Sequence, residues 1–204
     1  MDNNTDPKLP DHGPVSRSVA GLIDGIEEKH LAGPTPCPEY TVRDLLAHLL
    51  GLTVAFRDAG RKALGPTTDT PPTDGLPPLE DGWRTAFPGR LDELAESWRS
   101  PEAWQGFTRA GGVDLPAEVA GLVALNELVV HGWDLARSTG QAYEVDTASL
   151  EAVFPFLEPA AASAESGEGP EGLFGPPIPV PTDAPLLDRV IALSGRRPDW
   201  RPGE

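Results

Sequence analysis

PAEVAGLVALNELVVHGWDLARSTG, residues 116–140, is the stretch that decides the fold. Proline opens it and glycine closes it, which suits a helix with a preset first turn and a left-handed stop. Between Ala117 and His131 only Glu118, Asn126, Glu127 and His131 are polar. A helix that is apolar nearly all round has no face to offer water, so this one is predicted to be central and buried.

Working outward, the neighbouring segments also read as helices. After Pro14, Val15, Val19, Leu22, Ile23 and Ile26 recur at helical spacing, with Gly33 as the stop. Thr41, with Asp44 three residues on, reads as the N-cap of a helix over 41–64 with the stripe Leu45, Leu49, Leu52, Phe56 and Ala59. Trp83, Phe87, Leu91, Leu94 and Trp98 continue a helical period over 83–100, which Pro88 is expected to kink or restart. A further helix over 146–157 turns Leu150, Val153, Phe154 and Leu157 inward, with Pro155 straining its end. Residues 65–80 and 100–115 read as irregular connections, and no convincing pair of strands stands out. Beyond residue 160 the chain is first acidic, then Pro-rich and extended, and ends in a short helix over 186–193. Phe174, Ile178 and Val180 are expected to pack this tail over the bundle. The fold class is therefore all-α, an antiparallel four-helix bundle. A disordered tail is expected over 1–13, the bundle over 14–158, and a Pro-rich extension packing on it over 159–204.

Charge narrows the function classes. Sixteen Lys and Arg against 32 Asp and Glu leave a net charge of −16, which argues against a nucleic-acid backbone or an anionic membrane as partner. Cys37 is the only cysteine, so neither an internal disulfide nor a cysteine zinc knuckle can form. The opening MDNNTDPKLPDHG is polar and acidic, unlike a secretory signal, and the longest apolar run, 119–125, is short for a bilayer. A cytoplasmic protein with no nucleic-acid or membrane partner is expected.

Glu127 and His131 lie four apart, so both leave the same face of the central helix with Cβ atoms roughly 5–6 Å apart. Ala120, Ala124 and Leu135 share that stripe. A carboxylate buried there must be paired, protonated or bound to a cation. One reading is a satisfied Glu–His core pair. The other adds His48, on the shoulder of the buried stripe of TVRDLLAHLLG, about 60° from Leu45 and about 40° from Leu52 at helical pitch. If the two helices face each other, the three residues offer two imidazoles and one carboxylate. That set suits zinc with a fourth position open, or non-haem iron, nickel or manganese. A fourth ligand such as Asp44 or His30 would close it. Asn126, Asp134 and Arg137 flank the site; Asp134 either orients a ligand imidazole or pairs with Arg137. Trp133 reads as core or pocket wall, Cys37 as a small packed residue or a reactive thiol, His30 as a cation at a helix C-terminus, and His12 as part of the tail.

NELVVHGWDLARSTGQ, residues 126–141, resembles the metal-binding helix of the mycothiol-dependent maleylpyruvate isomerase N-terminal family, which belongs to the DinB-like four-helix bundles. TPCPEYTVRDLLAHLLG, residues 35–51, resembles its earlier ligand helix, and LFGPPIPVPTDAPLLDRVIALSGRRPDW looks like the close of a short actinobacterial branch described as metal-binding. The resemblance implies metal ligation by His48, Glu127 and His131, typically of zinc. It also implies mycothiol as a low-molecular-weight thiol co-substrate, so that a thiolate attacks a small electrophile in an S-transferase or isomerase reaction. The isomerase type carries a second, C-terminal domain, and some 60 residues after the metal helix suggest no counterpart of it here. The alternatives are a metal-dependent hydrolase, which needs a general base beside the ion, and a non-catalytic metal-binding or interaction module.

Overall fold

A computed structural model describes residues 9–71, 75–166 and 175–203. Its long helices start and stop where the chain offers caps. Thr41 opens α2 (Val42–Gly60) with a reciprocal box: its Oγ1 accepts the Asp44 N–H at 3.3 Å, and the Asp44 carboxylate accepts the Thr41 N–H at 3.0 Å. α5 (Ala117–Thr139) begins after Pro116 and ends at Gly140, whose φ of +70° is the left-handed stop expected of glycine. α1 (Gly13–Leu22) is shorter than its apolar period suggests. Its last carbonyls are met from outside, since Gln141 Nε2 donates to the Leu22 carbonyl at 3.0 Å, and two 3₁₀ turns, Ile23–Gly25 and Glu28–His30, replace the expected final turns.

Two helices run on through prolines, of which Pro88 is expected to kink or restart one and Pro155 to strain the end of the other. α4 (Trp83–Ser97) contains Pro88, and α6 (Thr147–Ser166) contains Pro155 and Pro159, extending well past the expected end at 157. A proline strands the carbonyl four residues before it. Here those carbonyls belong to Arg84, Glu151 and Pro155, all of them exposed residues.

The connections are less irregular than they read. Pro66–Asp69 forms a one-turn helix, α3, and Pro101–Trp104 a 3₁₀ turn. β1 (Phe107–Ala110) and β2 (Val113–Pro116) make an antiparallel hairpin in which Ala110 pairs with Val113. The missed signal is Gly111–Gly112: both have positive φ, as a two-residue hairpin turn of matching twist requires. The hairpin docks on α3 through the Gly112 N–H and the Thr68 carbonyl, 2.8 Å apart.

α2 packs on α4 and α5, and α1 packs on α4 and α5, so four helices enclose one core; α6 lies against α5 and α7 (Leu186–Leu193). Leu45, Leu49, Phe87, Leu91, Leu94, Leu125 and Leu128 fill that core with no exposed surface. α5 is long and apolar enough to cross a membrane, which its interrupted apolar runs did not suggest, but 78% of that stretch is buried inside the protein.

Both ends of the described chain are tied down. His12, expected in a disordered tail, is 1% exposed: its Nε2 donates to the Gly121 carbonyl at 2.9 Å, and its ring stacks on Trp98 with centroids 5.8 Å apart. Gly121 is small for this reason, because a Cβ there would sit 2.6 Å from the Trp104 ring. At the other end, Ile178 and Val180 are half-buried, while Phe174 lies outside the described residues. The firmer anchors are Val190, Ile191 and Ala192 of α7, and Trp200, which packs on Val130, Trp133 and Ile191.

Candidate metal centre

α2 and α5 face each other across the core and bring His48, Glu127 and His131 together. Glu127 Oε2 lies 3.1 Å from His48 Nε2 and 3.2 Å from His131 Nε2. The rings of His48 and His131 meet edge to face, with centroids 4.9 Å apart. One ligand atom from each of the three residues lies within 4.8 Å of the others. The placement follows from the helices themselves: the i,i+4 step on α5 sets the Glu127–His131 pair, and the capped start of α2 fixes the register that delivers His48.

Charge in this cluster is strongly coupled. Burial works against a charged His131, but the Glu127 and Asp134 carboxylates outweigh it and push the imidazole up to about 9. Burial likewise works against an ionised Glu127, and the two imidazoles beside it, His131 first, hold its carboxyl well below the usual carboxylate range. The Glu127 carboxylate thus bridges the two imidazoles.

Asp134 bonds to His131 and not to Arg137. It is fully buried, and its Oδ2 accepts the His131 Nδ1–H at 2.9 Å. Its cation is not Arg137 but Arg196, from the segment after α7. Arg137 turns the other way: its Nη2 donates to the Pro198 carbonyl, and its guanidinium lies 5.2 Å from the centre of the Trp133 ring. Trp133 packs under Trp200 and Ile191, so both residues serve the C-terminal segment rather than the cluster. Asn126 is buried with its Oδ1 unpaired. Asp44 is committed to Thr41, and His30 Nδ1 accepts the Glu27 N–H at 3.0 Å, so neither joins the three ligand atoms. Burial pushes the Cys37 thiol up, which does not favour a reactive thiolate.

Sequence reasoning missed two neighbours. Tyr40 lies against His48, ring centroids 5.5 Å apart, from the position just before the α2 cap. Arg196 sits in a GRRPDW run whose spacing carries no link to the α5 helix.

The family model of the mycothiol maleylpyruvate isomerase N-terminal domain matches residues 13–136. Uncharacterized proteins of Mycobacterium tuberculosis, from strains CDC 1551 and H37Rv, are 28% identical over 188 residues, 91% of this chain and 95% of theirs. A crystal structure of the mycothiol-dependent maleylpyruvate isomerase superposes with a TM-score of 0.65 at 17% identity, over 92% of this chain and 88% of that one. A point mutant of that enzyme gives 0.58 at 16% identity, over 78% and 70%. The longer superposition reaches well beyond residue 136 and takes in most of the solved enzyme. With more than half of its residues matched, the chain belongs to the mycothiol maleylpyruvate isomerase N-terminal domain family.

Proposed function

We propose that His48, Glu127 and His131 hold a divalent metal ion, zinc foremost. The chain then acts in the cytoplasm as a mycothiol-dependent S-transferase or isomerase-like enzyme on a small electrophile. One observation carries this reading: two imidazole nitrogens and a carboxylate oxygen from two helices converge on one point in a chain of this family.

The donor set fits the ion. Around a tetrahedral zinc with bonds of about 2.0–2.1 Å, neighbouring donors stand roughly 3.3 Å apart. Glu127 Oε2 stands 3.1 and 3.2 Å from the two imidazole nitrogens. Three protein donors leave a fourth position for a small molecule. When bound, the ion would lower the proton affinity of a thiol at that position and make its sulfur a nucleophile.

The chain's own residues prepare the place. Asp134 takes the Nδ1–H of His131, so that once Nε2 gives up its proton to solvent its lone pair faces the cluster. Tyr40 packs its ring against one side of His48. Burial of α5 keeps Glu127 and His131 in one fixed relation. A hydrolase would need a spare carboxylate as base; Asp134 and Asp44 are already engaged.

Elemental analysis of protein purified without a histidine tag tests the site. About one divalent ion per chain is expected, lost in His48→Ala and Glu127→Ala. Consumption of a small electrophile should then require mycothiol. Protein that carries no ion, and takes up none from added zinc, nickel or iron, refutes the reading.

A further inference from the structure

The C-terminal segment reaches the cluster through one side chain. Arg196 follows α7, and its Nη1 donates to the Ser194 carbonyl at 2.8 Å, which fixes the guanidinium at the end of that helix. Its Nη2 reaches Asp134 Oδ2 at 3.3 Å and its Nε reaches Oδ1 at 3.4 Å. Two nitrogens on two oxygens set the plane of a carboxylate as well as its position. The same Oδ2 accepts the His131 Nδ1–H at 2.9 Å. Asp134 has no exposed surface, so water cannot replace a partner it loses.

We propose that Arg196 is a positioning residue for the metal site. It fixes Asp134, Asp134 fixes the His131 ring, and affinity for the ion depends on that fork. The inference rests on the reading that the cluster holds a metal. Arg196 touches none of the three ligands, lies 62 residues from Asp134 in the chain, and acts only through it. Lysine keeps the charge but cannot make the fork. Trp200 offers a control: it anchors the same segment on Val130, Trp133 and Ile191, away from Asp134.

The test titrates cobalt(II) alone into metal-free, full-length protein and follows the visible absorption of the bound ion, beside the thermal midpoint of each metal-free form. Arg196→Gln and Asp134→Asn are expected to weaken binding between about 10- and 100-fold and to alter the absorption band. Arg196→Lys should recover part of the loss. Trp200→Leu should lower the midpoint yet bind as the wild type does. Wild-type affinity in Arg196→Gln overturns the proposal, as does an equal loss in Trp200→Leu. If the wild type itself takes up no cobalt, the metal reading falls first and this proposal with it.

Discussion

His12 makes the fold sensitive to acid, and the size of the effect can be worked out. The ring is enclosed by Trp98 and Trp104, its Nε2 donates to the Gly121 carbonyl, and its Nδ1 is buried with no partner. A proton on Nδ1 would be a buried donor with nothing to accept it, on a ring removed from water. Burial accordingly pushes the His12 pKa down from 6.5 to about 4. In the unfolded chain the same ring takes a proton as pH falls through 6.5. Above that pH the folded and unfolded states are both neutral and the stability is complete. Below it the unfolded chain gains a proton that the fold refuses, so stability declines and levels off only below the folded value. At about 1.36 kcal/mol per unit, the whole shift amounts to roughly 3 kcal/mol, of which about 2 kcal/mol is lost by pH 5.

Urea unfolding at pH 7.5 and pH 5.0, with chelator present, isolates this contribution when wild type is compared with His12→Gln. Glutamine keeps an N–H donor and does not titrate, so it removes the pH dependence of this position alone. Wild type should lose about 2 kcal/mol more than the variant between the two pH values, a difference of about 1 M in midpoint for an ordinary denaturant slope. Histidine resonances offer a direct check, since one imidazole should stay neutral until close to pH 4. Equal losses in the two proteins would falsify the assignment of His12 as a buried neutral base.

Other consequences are simpler. Gly121→Ala places a methyl group 2.6 Å from the Trp104 ring and 2.9 Å from the Trp98 ring, and should cost about 1–3 kcal/mol in chemical denaturation. Thr41→Ala removes the cap of α2 and should cost about 1 kcal/mol, with metal affinity falling less than in any ligand variant. Tyr143→Phe leaves the Leu128 carbonyl without its 3.0 Å hydroxyl donor and should cost about 1 kcal/mol; an unchanged midpoint would show that the bond contributes nothing. Glu127→Gln keeps the shape of the bridge between the imidazoles but removes its charge, so bound metal should fall sharply while circular dichroism remains helical.

What could be read from the sequence was whatever local chemistry determines. The buried helix, its glycine stop and the Thr41 box follow from residues within a few positions of one another, and the structure has them where those residues put them. The three residues were also legible as candidates, from the i,i+4 step of Glu127 and His131 and from His48 on the shoulder of a second buried stripe, on the condition that the two helices face each other. The reading failed where a distant group decides. At the end of α1 Gln141 meets the Leu22 carbonyl, α4 and α6 run on through their prolines, and Trp98, Trp104 and Gly121 hold His12 in the core. Arg196 is the clearest case: an arginine among others near the C-terminus, given its partner only by how α7 docks. The Gly111–Gly112 turn differs, since its signal is local and was there to be read.

The backbone that carries the cluster is held by packing and capping. Two of the cluster's donors stand on one largely buried helix, and the third on a helix locked at its first turn, which restrains both backbones. Electrostatics adds to this. Glu127 draws both imidazoles toward it, and Asp134 holds His131 from behind, with Arg196 balancing the second carboxylate. If the cluster holds a metal as proposed, the ion would displace a proton from His131. Metal removal should therefore leave the fold intact, unlike a zinc finger, whose chain has no core to hold it when the ion leaves. The metal's contribution to stability should then be no more than its binding free energy in excess ion, and should vanish in His48→Ala.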